Sequence, residues 1–472
     1  MIFNSFQFLW LFPLIFCAYW LVTRFCGQNT NVPRCSNYLL IAMSYGLYLQ
    51  WKPVYALVLL SVTTITYIAA LKIERNEAYG KKLYIVACGI TLATLPLIVF
   101  KYYNFINDTI TAILGGANIQ VGLPGLNWVM PLGISFFTLQ AIGYLADVYK
   151  HKIKAERNWW NYMLFVSFFP QIASGPISKA ADLLPQIKAP RRFDEKQFVQ
   201  GCKWLLWGMF LKVVVADRLG LNVNDVYIHM MTNSGLTLFM ASIFYSMQIY
   251  CDFAGYSFMT VGVGELLGYE LINNFHRPYF SQTITEFWHR WHISLSTWLK
   301  DYIYIPLGGS RCSKIRNYTN IMITFLVSGL WHGANWTFVA WGALHGLVQI
   351  IEKHFGLNKQ QSVGFLKWIR IVCTFMIVSL AWIFFRMPTF SDAFYVICKI
   401  LTDLSGSIAS WAASFVFVAI VLFKDLMDEC DIRSLRLMHS GHVIVRWITY
   451  LSIAILIMTM GVYGGQFIYS GF

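Results

Sequence analysis

This sequence is short of charge: only 12% of its 472 residues are Asp, Glu, Lys or Arg. A soluble chain of this length would carry about twice that fraction, so an ordinary water-soluble domain is excluded. Acid is the scarcer sign, with 22 Asp and Glu against 36 Lys and Arg, for a formal net charge of +14. Paired cysteine spacing is missing too: most of the ten cysteines, including Cys17, Cys88, Cys202, Cys251, Cys373 and Cys398, sit singly inside apolar runs. They read as small buried hydrophobes, which argues against a disulfide framework and against a zinc site. Walker A, strand-linked GxGxxG and GxSxG patterns are absent, so nucleotide hydrolysis and soluble hydrolase chemistry lose their usual supports. No internal repeat is evident, which weakens an inverted-repeat transporter.

What is there is apolar: 57% of the residues are hydrophobic, in recurrent uncharged runs able to cross a core of about 30 Å. The first, Phe6 to Val22, has no basic flank or small-residue cleavage site, and Trp10, Tyr19 and Trp20 suit interfacial anchors. It is therefore expected to remain in the mature protein. Further runs fall near 37–50, 53–71, 83–103, 129–147, 160–176, 198–216, 235–268, 317–331, 334–351, 368–385, 408–423 and 443–463. The expectation is an all-α, polytopic integral membrane protein of about eleven spanning helices. Some segments would be re-entrant or broken, because irregular backbone at depth must be shielded.

Positive charge gathers in connectors, at Lys72, Arg75, Lys81 and Lys82, at Lys150, Lys152, Lys154 and Arg157, at Lys188, Arg191, Arg192 and Lys196, and at Arg311, Lys314 and Arg316. That pattern fits cytoplasmic loops under the positive-inside rule, and would also attract anionic headgroups or an anionic acyl donor. Nucleic acid is not an expected partner, since no basic amphipathic domain or aromatic platform accompanies the charge.

Two breaks are expected. In PQIASGPI, residues 170–177, a helix must stop at Pro170 and Gly175-Pro176, giving a surface turn or a re-entrant segment lining a cavity. In CDFAGYSFMTVGVGELLGYE, Gly255, Gly262, Gly264 and Gly268 interrupt an apolar run; small residues favour close helix packing, and Asp252 must find a partner.

Ionisable residues then cluster. EFWHRWHISLSTWLKDYIYIPLGGSR opens at Glu286, and Phe287, Trp291, Leu295 and Trp298 recur at helical spacing, predicting an amphipathic helix over 286–301. On it Glu286 and Arg290 can pair, and His289 and His292 share a face. Metal binding by that pair would need a third ligand, and none is identified. Downstream, SGLWHGANW holds His332 in an apolar stretch between Gly329 and Gly333, with Asn335 nearby. A lone histidine there can be a hydrogen-bonded core residue. Yet ionisable groups at depth are costly and usually functional, and burial keeps an imidazole neutral and able to accept a proton near pH 7. His345, about three and a half turns on, falls on another face of any continuous helix and reads as structural. A transporter or channel would also explain polar groups at depth. The missing repeat, and histidine blocks rich in Trp and Gly rather than paired acids, favour an enzyme.

PQIASGPI, YCDFAGYS, the 286–311 block and SGLWHGANWTFVAWGALHG together resemble the membrane-bound O-acyltransferase (MBOAT) family. The likeness runs in order through 170–350 and extends more loosely to MIFNSFQFLWLF and QFIYSGF at the two ends. Within the family it is most similar to the branch of bacterial alginate O-acetyltransferase membrane proteins; a sister branch transfers D-alanyl groups to teichoic acid. The resemblance implies a single membrane domain over 1–472, with a ring of helices around a central funnel. It implies transfer of an acyl group, usually acetyl, from a cytoplasmic thioester towards an acceptor outside the membrane.

On that basis His332 matches the family's invariant histidine and becomes the catalytic base, with His292, the second characteristic histidine, beside it. Asn335 and backbone amides near Gly333 are candidate oxyanion donors, and Trp331, Asp301, His289 and Arg290 are supporting candidates. His289 stands where the family usually has Arg, and Phe258 where it usually has an acid or another polar residue. No tightly bound cofactor or metal is implied. The implied partners are membrane lipids, acetyl-CoA as donor, a polysaccharide acceptor, and an exported SGNH-type acetyltransferase or carrier. The implied place is the inner membrane of a bacterium.

Overall fold

Among residues 3, 6–25, 35–116, 122, 124–408, 411–432, 437–465 and 467–468, which this computed structural model describes, all regular structure is helical. Parts of the two outlying motifs, residues 1, 2, 4 and 5 and residues 466 and 469–472, lie outside that set. Six helices are long and apolar enough to cross a membrane: Gln7–Phe25, Pro53–Arg75, Tyr79–Gly116, Glu195–Ile228, Gly364–Arg386 and Val443–Met460. The all-α, multi-pass expectation holds. The count of about eleven does not follow from these six, because other apolar runs form shorter or broken helices, such as Ile134–Tyr149 and Trp159–Ser167.

Contacts divide the chain into two compact units. In the first, chiefly Trp10–Phe198, the helices Pro53–Arg75, Tyr79–Leu97 and Ile134–Tyr149 pack together. They meet at Gly89, where a Cβ would lie 2.8 Å from Leu145 and 3.1 Å from Ala69. The break at PQIASGPI is present. Trp159–Ser167 ends before Pro170, a single turn Phe169–Ile172 follows, and the chain then runs without helix to Ala180–Lys188. Gln171, itself buried, donates its amide to the Pro176 carbonyl at 3.0 Å and to the Ser178 hydroxyl, satisfying a carbonyl of the non-helical stretch.

The second unit holds Val199–Val263 and Ile272–Phe472. Here the second expected break does not occur: Gly235–Leu266 is one helix of 32 residues, and the chain turns only beyond it, at Gly268 with φ +81°. Its glycines serve the close packing expected of small residues there. A Cβ on Gly255 would stand 2.8 Å from the Gly208 carbonyl oxygen, and one on Gly262 would stand 2.7 Å from that of Gly201. Both partners lie on the helix Glu195–Met209, so the two backbones touch where a side chain would hold them apart.

Asp252 finds its partner in Lys212, from the wide π-type turn Phe210–Ala216. The fully buried Lys212 Nζ lies 2.6 Å from Asp252 Oδ1 and 2.7 Å from Asp217 Oδ1, and Asp252 Oδ2 accepts the Ile468 N–H at 2.7 Å. Charges this deep persist only when paired and hydrogen-bonded.

Candidate active site

The second unit also carries both histidine blocks. The helices Lys314–His332 and Trp336–His354 pack along one another. Gly329 and Gly342 permit this: a Cβ on either would overlap a carbonyl oxygen of the other helix, that of Phe338 or Phe325. The first helix ends on His332. Gly333 follows in extended conformation, and Asn335 caps the next helix, its Oδ1 accepting the Thr337 N–H at 3.1 Å. The other end of the same amide donates to the Pro388 carbonyl at 2.9 Å. Asn335 is thus engaged at both ends in fixing the turn behind His332. The buried His332 ring meets Trp341 edge-on, with centroids 5.0 Å apart, and lies 4.9 Å from Trp331 and 5.5 Å from Phe385.

The continuous helix expected over 286–301 is interrupted. Ile284–Arg290 and Ile293–Leu299 are separate helices, followed by a wide π-type turn Lys300–Tyr304 that holds Asp301. Between the helices His292 adopts φ +43° and ψ +53°, a left-handed conformation uncommon outside glycine. Asn274 supports it from 18 positions upstream: its carbonyl accepts the Ile293 N–H at 3.0 Å and its side chain accepts the Ser294 N–H at 3.1 Å. His289 and His292 therefore do not share a face. His289 is exposed, and His292 is fully buried.

The turn carries His292 to the other histidine block. Its ring meets Phe253 edge-on at 4.7 Å, and stands 5.8 Å from Trp331 and 6.3 Å from His332. His292 lies outside the six spanning helices, and burial, outweighing an opposing backbone hydrogen bond, pushes its pKa down to about 3, leaving the imidazole neutral at physiological pH. His345 is a hydrogen-bonded core residue, accepting the Trp288 indole N–H at 3.3 Å.

Arg290 forms the expected pair with Glu286, at 2.6 Å, and also grips Glu429 with two prongs of 2.9 and 3.1 Å. Arg277 adds a third contact to Glu429 at 2.9 Å. Desolvation raises the Glu429 carboxyl, but the two guanidinium groups outweigh it and hold the group below the usual carboxylate range. This clamp fixes the chain two residues before His292. Glu429 and Arg277 are not among the sequence-derived candidates, because nothing local connects positions 139 and 152 apart to one cluster. Lys212 had a legible signal, a lone cation inside FLKVVVA. Phe258, the apolar departure, stacks on Trp204 at 5.0 Å.

A cavity of about 380 Å³ lies in the same unit, and neither His292 nor His332 is among its lining residues. Its lining includes Ile293, next to His292 in the chain, and Ser328, one helical turn before His332, while Lys300 and Lys353 supply its charge and His289, Thr285, Ser296 and Gln349 its hydrogen-bonding groups. The arrangement sets two imidazoles in an apolar, aromatic enclosure beside a basic pocket. It suits proton transfer on a bulky anionic reactant.

Residues 153–390, which contain both histidines, match the sequence model of the MBOAT, membrane-bound O-acyltransferase family. A Pseudomonas aeruginosa protein assigned as an alginate O-acetylase is 37% identical over 391 residues, covering 82% of this chain and 72% of that protein. The Helicobacter pylori peptidoglycan O-acetyltransferase is 32% identical over 442 residues, 86% of this chain and 80% of that protein. The Streptococcus thermophilus teichoic acid D-alanyltransferase is 29% identical over 287 residues, 58% of this chain and 65% of that protein. This chain belongs to the membrane-bound O-acyltransferase family, and it is a multi-pass membrane acyltransferase.

Proposed function

We propose that the enzyme moves an acetyl group from a cytoplasmic thioester, acetyl-CoA, for O-acetylation of a cell-envelope or exported polysaccharide, and that it works in the inner membrane of a bacterium. The observation that carries this reading is the pair of buried imidazoles of His292 and His332, 6.3 Å apart, with their chain neighbours Ile293 and Ser328 lining a basic cavity. Relatives named for acetylation of alginate and peptidoglycan match more of the chain, at higher identity, than the one named for D-alanyl transfer.

In the proposed reaction His332 takes the proton of the acceptor hydroxyl as its oxygen attacks the thioester carbonyl carbon. The C–S bond breaks, and the proton passes from His332 to the departing sulfur, leaving an acetyl ester and a free thiol. Neutral His292 offers an N–H to the carbonyl oxygen, where negative charge develops. Trp331, against both rings, keeps water from the thioester, and Asn335 acts by holding the turn that aims His332. His289, Lys300 and Lys353 meet the phosphates of the donor; Arg290 positions His292 through its carboxylate clamp. Asp301 lies in the wide turn beside Lys300. Proton and acyl transfer need no resident cofactor. The chain shows no soluble domain for a long polymer among the described residues, so an exported SGNH-type acetyltransferase or carrier completes delivery.

Proteoliposomes holding the purified protein test this. With acetyl-labelled CoA on one side and the polysaccharide with its exported transferase on the other, label should appear as base-labile ester on the polymer. Ester formation only from a D-alanyl carrier thioester would overturn the acetyl assignment, and solute flux without acyl turnover would overturn the enzyme itself.

A further inference from the structure

A second cavity in the second unit is larger, about 590 Å³, within the range of roughly 300–1,000 Å³ typical of small-molecule sites. It is lined chiefly by three helices, Glu195–Met209, Ala412–Glu429 and Val443–Met460, and two of these lie within candidate membrane spans. Only 6% of the apolar window of Val443–Met460 is buried, so this wall belongs to a helix exposed to lipid.

The lining is graded in character. Along Glu195–Met209 it opens with Gln200 and Lys203 and continues through Trp204 and Trp207 to Phe210 in the turn beyond. Phe423 and Ile453 extend the apolar part from the other two helices. Against this, the lining carries three cations, Lys203, Lys424 and Arg277, and a single carboxylate, Asp428. Lys424 already pairs with Asp428 at 2.8 Å, and Arg277 with Glu429. Lys203 is left without a carboxylate partner among the described residues, and its charged neighbour is another cation, Arg446.

A long apolar trough under a lipid-facing helix, with net positive charge and one unneutralised lysine, fits one ligand chemistry: an anionic headgroup joined to an acyl chain. We propose that this cavity is a binding site for an anionic phospholipid, with an acyl chain against Trp207, Phe423 and Ile453 and the phosphate at Lys203. A soluble phosphate would leave the trough unfilled, and a zwitterionic lipid would add a cation beside Lys203.

Photocrosslinking of the full-length protein in nanodiscs tests this with diazirine-bearing phosphatidylglycerol, and with phosphatidylcholine at the same mole fraction. Labelled peptides from 200–210, 420–428 and 448–456 should exceed the phosphatidylcholine signal by about fivefold, the discrimination expected of one cation near a headgroup. Lys203→Gln should remove most of that preference, and Ser452→Trp, which fills the trough, should remove labelling by both lipids. Arg277 is left intact because it holds Glu429. Equal labelling by the two lipids, or a preference unchanged in Lys203→Gln, would overturn the proposal. Lys203→Gln alone decides the matter if Ser452→Trp does not elute as a single species in gel filtration.

Discussion

The His292 imidazole stands 6.3 Å from that of His332, centroid to centroid, with Trp331 packed against both rings. Forty residues of chain separate the two, and the left-handed turn at His292 is what brings them together. His292→Ala should lower kcat by about 10²-fold, the scale of one lost oxyanion donor. His292→Asn, which tolerates the left-handed backbone and keeps an N–H, should lose less. Turnover normalised to folded protein checks this, and equal loss in both variants would point to the turn rather than the imidazole.

A neutral, buried His292 also affects stability. Its pKa in the folded protein lies near 3, below the ordinary 6.5, so protonation favours the unfolded chain. Its contribution is complete above pH 6.5 and is lost as pH falls from there towards 3. His292→Asn should therefore flatten the fall of Tm between pH 6.5 and 5, measured in detergent. A slope unchanged by the substitution would contradict this assignment.

The Glu429 clamp should matter to both fold and rate. Glu429→Gln leaves two guanidinium groups partly buried with one weaker acceptor, and should cost about 1.5–3 kcal/mol of stability. Because Arg290 precedes His292 by two residues, kcat should fall as well, while the donor KM stays close to its original value. A double-mutant cycle with Arg290→Gln should show strong coupling, because the two groups share one network.

Charge on the first cavity should be read in substrate binding. Lys300→Gln combined with Lys353→Gln should raise the KM for acetyl-CoA by about tenfold at low salt while kcat changes little, with the difference shrinking as salt screens the pair. The same variant should handle acetyl-pantetheine, which lacks the phosphates, like the wild type. An equal rise in KM for both donors would remove the lysines from phosphate recognition.

Much of this was legible in the chain, for reasons that can be named. The helix boundary at His332 follows from the glycine on its far side and the capping Asn335, both local signals. The break at PQIASGPI follows from prolines, which cannot continue a helix. Local signals fail where the partner is remote. Helical periodicity runs straight through His292, because the support for its turn comes from Asn274, outside the window. The glycines at 255 and 262 read as packing residues, but only the fold shows Gly208 and Gly201 facing them. Lys212 is a lone cation in an apolar run, and only the fold shows that it meets both Asp217 and Asp252.

Thiol release by the reconstituted protein tests the role of His332 most directly. With acetyl-CoA, the polysaccharide and its exported transferase, the wild type should release one CoA thiol for each acetyl ester formed. His332→Ala should lower both by about 10²–10⁴-fold per folded protein, the contribution of a positioned general base, at unchanged gel-filtration profile. Ester formation by His332→Ala at the wild-type rate would contradict the proposed role of His332 as the base.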